Sequence, residues 1–143
     1  QTVDIPAGVR VRVTSATPVS LLIAFLLALP IRTLDRVGLP IGPLAAHPLI
    51  RRVRNVDVVV DLAGISFADG RGIALLGYNV VMSLFPYLAG AKVVKGSQAI
   101  GPTNSPQTRA AAWAVLPRMA SICARGEVTR SHLDQLGLDI GGQ

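Results

Sequence analysis

The stretch Val93-Val-Lys-Gly-Ser-Gln-Ala-Ile-Gly-Pro102 is the part of the chain that decides its fold. A short apolar run ends here in a turn with an amide side chain, glycines and a proline, and the helix-like segment Gln107–Ser121 follows. The same order of strand, glycine-containing loop and helix occurs at Val56–Gly72, and a shorter version ends at Arg125. Strands that alternate with helices indicate a parallel sheet with right-handed crossovers.

The sequence therefore predicts an α/β fold, a Rossmann-like parallel sheet with helices on both faces. Three details of this prediction concern burial. The β-branched run Val58–Val60 predicts a central strand covered on both faces. Ser20–Leu29 is apolar all round, which predicts a helix buried on most sides, and Cys123 lies between apolar neighbours and is expected to be buried.

The predicted elements follow from periodicity and from the positions of glycine and proline. The predicted strands are Val9–Thr14, Val56–Leu62, Lys92–Lys95 and Ser121–Ala124. The predicted helices are Ser20–Leu29, Leu44–Arg54 with an interruption at Pro48, Ile73–Leu88, Gln107–Ala120 with a kink or early end at Pro117, and Glu127–Leu136.

Composition limits the class of protein. The 143 residues fit a single domain, 1–143, and with 50% apolar and 15% charged residues the chain is too apolar for a disordered protein. The apolar stretch Val19–Leu29 is shorter than the roughly 20 residues of a membrane span.

The chain begins at Gln1, and Asp139–Gln143 resembles the start of a further strand or loop, so we expect an incomplete domain, a fragment of a longer protein.

A net charge of +6, carried mostly by arginine, suits anionic partners such as phosphorylated substrates, lipid head groups or nucleic acid. The alternative is a set of solvated arginines on helix faces. No nucleic-acid partner is expected, because aromatic residues do not alternate with the basic ones. No metal or other cofactor is expected either, since His47, His132 and Cys123 have no ligand spacing. The single cysteine excludes an internal disulfide and is compatible with the cytoplasm.

Four segments in register resemble the polysaccharide pyruvyl transferase family over residues 56–138. They are Asp57-Val-Val-Val-Asp-Leu-Ala-Gly-Ile-Ser-Phe-Ala-Asp69, Ala91-Lys-Val-Val94, Gln98-Ala-Ile-Gly-Pro102, and Ile122-Cys-Ala-Arg-Gly-Glu127 with Ser131 and Leu136-Gly137. The chain departs from the family pattern in three ways. It has no Asn-x-Gly-Asp loop, no Arg-x-His signature, and Ala63 where a second glycine is common.

The resemblance implies a two-domain, GT-B-like enzyme that transfers the enolpyruvyl unit of phosphoenolpyruvate onto a sugar acceptor as a ketal. The acceptor would belong to a cell-surface polysaccharide or glycolipid, which implies a cytoplasmic protein at the inner membrane surface with peripheral membrane contact. This chain would hold most of the first Rossmann-like domain and would be inactive alone. Self-association through the face left by the missing half is the further expectation.

The loop after the Val56–Leu62 strand contains the first candidate binding residues. Gly64 lets the backbone approach a ligand, and Ser66 and Asp69 offer hydrogen bonds to sugar hydroxyls, while the helix that follows Gly70 presents its positive end to a phosphate. The alternative is a tight turn in which Ser66 or Asp69 caps that helix.

Gln98, Gly101 and Pro102 form the second candidate group, and Arg125 is the third. Gln98 can donate and accept at the sheet edge, or it can satisfy backbone groups in a buried turn. Arg125 could bind phosphate or carboxylate, or it could pair with Glu127 or Asp134. The catalytic residues are unknown.

Two other functions remain open at this point. The first is a non-catalytic Rossmann-like binding module that is complete at this length. The second is another GT-B glycosyltransferase, one that uses a nucleotide sugar.

Overall fold

A computed structural model describes residues 16–138. In this range the chain forms helices α1 (Pro18–Ala28), α2 (Ile31–Arg36), α3 (Gly42–Ala45) and α4 (Pro48–Arg54), strands β1 (Val58–Asp61) and β2 (Ile65–Ser66), helix α5 (Ile73–Leu88), strand β3 (Lys92–Ile100), helix α6 (Pro106–Val115), a 3₁₀ turn (Leu116–Arg118), strand β4 (Ser121–Ala124) and helix α7 (Glu127–Gln135). The predicted strand Val9–Thr14 and the segment Asp139–Gln143 lie outside the described residues.

The strands form a parallel sheet with β3 at its centre. On one side β1 pairs with the first half of β3 and β2 pairs with its last residues, and on the other side β4 pairs with β3. Among the described strands every pairing is parallel, and helices flank the sheet, so the predicted α/β, Rossmann-like fold is confirmed. The carboxyl ends of β2, β3 and β4 meet at the same edge.

Strand β3 is longer than the sequence predicts. The prediction ended it at Lys95 and placed Gly96–Gln98 in a turn, but the strand continues to Ile100. Position 96 of this strand has no room for a side chain, because the end of β1 and the residue after it lie close by. A Cβ atom there would stand 2.7 Å from Leu62 Cδ2 and 3.3 Å from the Asp61 carbonyl oxygen. The glycine thus marks a close approach within the sheet.

Strand β1 lies at the edge of the described sheet, so the prediction of a strand covered on both faces is wrong. Within residues 16–138 it pairs only with β3, and Val58 and Val60 are 43% and 53% exposed. An apolar run alone does not distinguish a central strand from an edge strand, because the distinction depends on which other segments reach it.

Helix α1 begins at Pro18, two residues before the predicted Ser20, and it is not buried on most sides. Thr17 caps it by accepting a hydrogen bond from the Ser20 backbone N–H, and Pro18 occupies the first helical position. Leu21, Ala24 and Ala28 are buried, whereas five large apolar side chains are exposed. These are Val19, Leu22, Ile23, Leu26 and Leu29.

Cys123 is also exposed, contrary to expectation, because β4 presents alternate side chains to solvent.

Two apolar clusters form the core of the described part of the chain. The first joins α1, α2 and α4 to the end of α5, and its buried residues are Leu21, Ala24, Ala28, Ile31, Leu49, Ile50, Phe85 and Ala89. The second lies where the strands end against α6 and α7, and its buried residues are Phe67, Ile100, Ala112, Val115, Leu116, Leu133 and Leu136. The second cluster supports the sheet edge at which the candidate residues lie.

Candidate functional site

A buried ion pair joins β1 to β3. The register places Asp61 beside Lys95, and Lys95 Nζ lies 2.7 Å from Asp61 Oδ2. The hydroxyl of Ser83, on α5, donates to the same carboxylate oxygen at 3.2 Å. The ammonium group also lies 5.0 Å from the ring centroid of Phe67, so a carboxylate and an aromatic face surround it.

Burial and charge act on this pair in opposite directions. Burial favours the neutral form of Asp61, but the charge of Lys95 and its hydrogen bond outweigh burial, and the pKa of Asp61 is lowered. Burial dominates at Lys95 and lowers its pKa, although Asp61 opposes that change. The side chain of Lys95 is fully buried and that of Asp61 is 10% exposed, so the pair is closed to a ligand.

Gln98 bridges the gap between β1 and β2. Its Nε2 donates to the carbonyl oxygen of Asp61 at 2.6 Å, and its Oε1 accepts from the Ser66 hydroxyl at 2.7 Å. Gln98 and Ser66 are both fully buried. The turn that would have carried Gln98 to the sheet edge is part of β3, so these two candidate residues contact each other inside the sheet and hold its strands together.

Asp69 connects the loop after β2 to the start of α6. Its carboxylate accepts from the Asn104 N–H at 2.6 Å, from the Ser105 N–H at 3.1 Å and from the Ser105 hydroxyl at 2.6 Å, and its own N–H donates to the Pro102 carbonyl at 2.9 Å. The hydrogen bond from the Ser105 hydroxyl is the main cause that lowers the pKa of Asp69 to about 2. Burial opposes it, and the Thr108 hydroxyl and the backbone N–H groups of Ser105 and Asn104 add to it. Asp69 thus bonds to Ser105, the N-cap residue of α6, and does not cap the helix α5 that follows its own loop.

The backbone beside this carboxylate adopts two unusual conformations. Phe67 is fully buried with a φ of 49°, a left-handed conformation that is rare for an aromatic residue. Gly101 has a φ of 88°, and a Cβ atom there would stand 2.4 Å from His132 Nδ1. His132 Nδ1 in turn lies 2.9 Å from the Ile100 carbonyl oxygen. Gly101 is therefore required by backbone conformation and by the imidazole packed against it.

A crevice of about 360 Å³ opens at this edge, between the loop after β2 and the first turns of α5 and α6. Its lining residues are Ala68, Gly70, Arg71, Gly72, Ile73, Leu76, Ser105, Gln107 and Thr108. A crevice outside the carboxyl ends of parallel strands is where open α/β sheets bind ligands. A smaller cavity of about 140 Å³ near Asp35 and Arg54 lies towards the amino end of β3.

The electrostatic character of the crevice favours an anion. Arg71 is the charged residue in its lining. Helix α5 begins beside it after Gly72, whose φ is 82°, and no side chain of residues 16–138 caps this helix end. The first N–H groups of a helix carry partial positive charge, so uncapped ones suit phosphate or carboxylate.

The predicted site residues fall in different places around the crevice. Gly70 lines it, and Asp69 holds the two loops that form its walls. Gly64 is exposed between β1 and β2, and Gly101 lies behind the loop against His132. Arg125 is exposed at the end of β4, where its N–H donates to the Gln98 carbonyl at 3.0 Å. Among residues 16–138 it makes no ion pair, so the expected pairing with Glu127 or Asp134 is absent.

Sequence reasoning missed two groups of residues. The first is the buried pair Asp61 and Lys95, which is signalled by a charged residue directly after each of two short valine runs, Val58–Val60 and Val93–Val94. The second comprises the crevice residues Arg71, Gln107 and Thr108. Their position in the sequence could have identified them, since each lies after a strand and near the start of the next helix.

The chain matches no family model, no curated protein and no solved structure.

Proposed function

We propose that this chain is a substrate-binding domain of a pyruvyl transferase, which transfers the enolpyruvyl unit of phosphoenolpyruvate to a sugar hydroxyl. The proposed relationship is to the polysaccharide pyruvyl transferases, in a GT-B-like arrangement. The crevice would bind an anionic part of a substrate, and the sugar would belong to a cell-surface polysaccharide or glycolipid.

One observation carries this proposal: the segments that resemble the family are neighbours in one parallel sheet. The Asp57–Asp69 segment contacts the Gln98–Pro102 segment through the bond from Ser66 to Gln98. The fourth segment joins them through the Arg125 N–H and the Gln98 carbonyl. Residues that are far apart in sequence and share a resemblance are thus joined within one sheet, and the crevice opens beyond the carboxyl ends of its strands.

The chemistry of the crevice suits this function. Phosphoenolpyruvate carries a phosphate and a carboxylate, and the guanidinium of Arg71 can bind either group with two hydrogen bonds. The open end of α5 offers backbone N–H groups beside it, and Gln107 and Thr108 add polar side chains. Asp69 and Gln98 act by fixing the loops and strands that shape the crevice.

Ligand binding by the 143-residue chain tests the proposal. We expect phosphoenolpyruvate to raise the melting temperature by several degrees at saturating concentration, because a ligand that binds only the folded state stabilises it. The variant Arg71→Gln should abolish the shift. Arg109→Gln is the matched control, since Arg109 is an exposed arginine of α6 outside the crevice lining.

Other outcomes of the same titration would overturn the proposal. Stabilisation by nucleoside diphosphates but not by phosphoenolpyruvate would indicate a glycosyltransferase that uses a nucleotide sugar. No stabilisation by either ligand would indicate a non-catalytic module, and an equal loss in Arg71→Gln and Arg109→Gln would show that the crevice is not the site.

A further inference from the structure

Helix α1 presents an apolar surface to solvent. Five large side chains on one side of it, Val19, Leu22, Ile23, Leu26 and Leu29, are between 46% and 69% exposed. We call this surface the α1 face. Its residues recur at helical spacing, so they share one side of the helix, opposite the buried Leu21, Ala24 and Ala28. A contiguous apolar surface of this kind marks a contact with a partner or a membrane.

The buried side of α1 packs against other elements of the protein, and the helix could cross a bilayer only if those contacts were broken. The run Pro18–Arg36 is 19 residues long and apolar enough in composition to cross a membrane, with 22% of it buried in the molecule. Its buried side packs in the first core cluster against Leu49, Ile50 and Phe85. Near its end, the Arg32 guanidinium donates to the Tyr87 carbonyl at 2.7 Å. These contacts hold α1 along the surface of the protein.

The segment that contains α1 is strongly basic. Residues 16–56 contain five arginines and one aspartate, a net charge of +4 with histidine neutral. The aspartate, Asp35, already pairs with Arg54 at 2.7 Å. Arg51 and Arg52 are exposed on α4, which packs against α1, and neither makes an ion pair within residues 16–138.

We propose that the α1 face, together with Arg51 and Arg52, binds the surface of an anionic phospholipid bilayer. Apolar side chains on a surface helix enter the boundary between head groups and acyl chains, and nearby arginines bind lipid phosphates. Charge disfavours a second copy as the occupant, because two such basic surfaces would repel each other. This proposal does not depend on the proposed function, since it uses none of the crevice residues.

Flotation of the 143-residue chain with lipid vesicles tests the proposal. We expect binding to vesicles of phosphatidylcholine with phosphatidylglycerol, and much weaker binding to phosphatidylcholine alone. Arg51→Gln/Arg52→Gln should weaken binding about 30-fold, at about fivefold for each arginine near an anionic membrane. Leu22→Glu/Leu26→Glu should abolish it, and both positions are exposed, so the fold should persist by circular dichroism.

The matched controls lie on α7. Val128 is 71% exposed and Arg130 is exposed, so Val128→Glu and Arg130→Gln change the same residue types elsewhere and should leave binding unchanged. Equal losses in the controls, equal binding to neutral vesicles, or resistance to alkaline extraction from membranes would each overturn the proposal. So would a lipid-free dimer that Leu22→Glu/Leu26→Glu dissociates, because a second copy would then be the occupant.

Discussion

At the scale of single residues, the ion pair of Asp61 and Lys95 depends on both of its partners. A buried charge that loses its counterion keeps its desolvation penalty, which makes a single replacement more harmful than a double one. The pair is buried between two strands, with the Lys95 side chain fully buried. Its contribution to folding is therefore best measured by a double-mutant cycle.

We predict that Asp61→Asn lowers the free energy of unfolding by about 3 kcal/mol, because Lys95 is left without a counterion. The double variant Asp61→Asn/Lys95→Met should recover part of this loss. Urea unfolding monitored by circular dichroism gives these values. Asp35→Asn is the control and should cost under about 1 kcal/mol, since its pair with Arg54 is partly exposed. Additive losses in the double variant would contradict the prediction.

Asp69 should make stability depend on acid pH. Its pKa is about 2 in the folded protein against an ordinary 3.8, so the folded state favours the carboxylate. This contribution is complete above pH 3.8 and is lost as the pH falls towards about 2. We predict that Asp69→Asn unfolds with a shallower pH dependence over this interval, measured by urea midpoints. Parallel curves for the two proteins would show that Asp69 is not responsible.

At the scale of elements, helix α6 depends on a cap that is shared between two loops. Ser105 accepts from the Thr108 N–H at 3.3 Å, and the same hydroxyl donates to Asp69. The start of the helix is thereby tied to the loop after β2. Crevice shape and helix stability should consequently change together when this hydroxyl is removed.

We predict that Ser105→Ala lowers stability by about 1 kcal/mol, the usual cost of an N-cap. It should also raise the pKa of Asp69, because the Ser105 hydroxyl is the main cause of its low value. Carboxyl NMR titration measures the second effect. Thr17→Ala, which removes the cap of α1, should leave the pKa of Asp69 unchanged. A pKa that stays near 2 in Ser105→Ala would contradict the prediction.

The sequence predicts the order and direction of the elements, because alternating strands and helices leave few arrangements. It misjudges the end of β3, because Gly96 and Gln98 have the composition of a turn. The contacts that keep this segment extended come from Asp61 and Ser66, more than 30 residues away. Local patterns do not contain such contacts. For the same reason the sequence identifies Asp69 as a polar loop residue but does not predict its bonds to Asn104 and Ser105.

At the scale of the whole molecule, charge and apolar surface act against each other. The net charge of +6 keeps copies apart at low ionic strength, while β1 exposes Val58 and Val60 along an edge of the described sheet. An apolar edge strand is a template for pairing with another chain. Salt screens the repulsion but not the apolar contact.

We predict that the chain self-associates as salt is raised and that Val60→Lys suppresses this association, because a lysine on an edge strand opposes pairing. Sedimentation velocity at low and high salt measures the effect. Val128→Lys adds the same charge at an exposed position on α7 and should not suppress association. If both variants behave alike, net charge rather than the β1 edge controls the association.

The exposed thiol of Cys123 has a practical consequence for all of these measurements. It is the chain's single cysteine and it stands on the outer surface of β4. Without reductant, two chains can become covalently linked through it, and the product would be mistaken for reversible association. With maleimide chemistry the same atom accepts one dye per molecule, which gives a fluorescent reporter without any mutation.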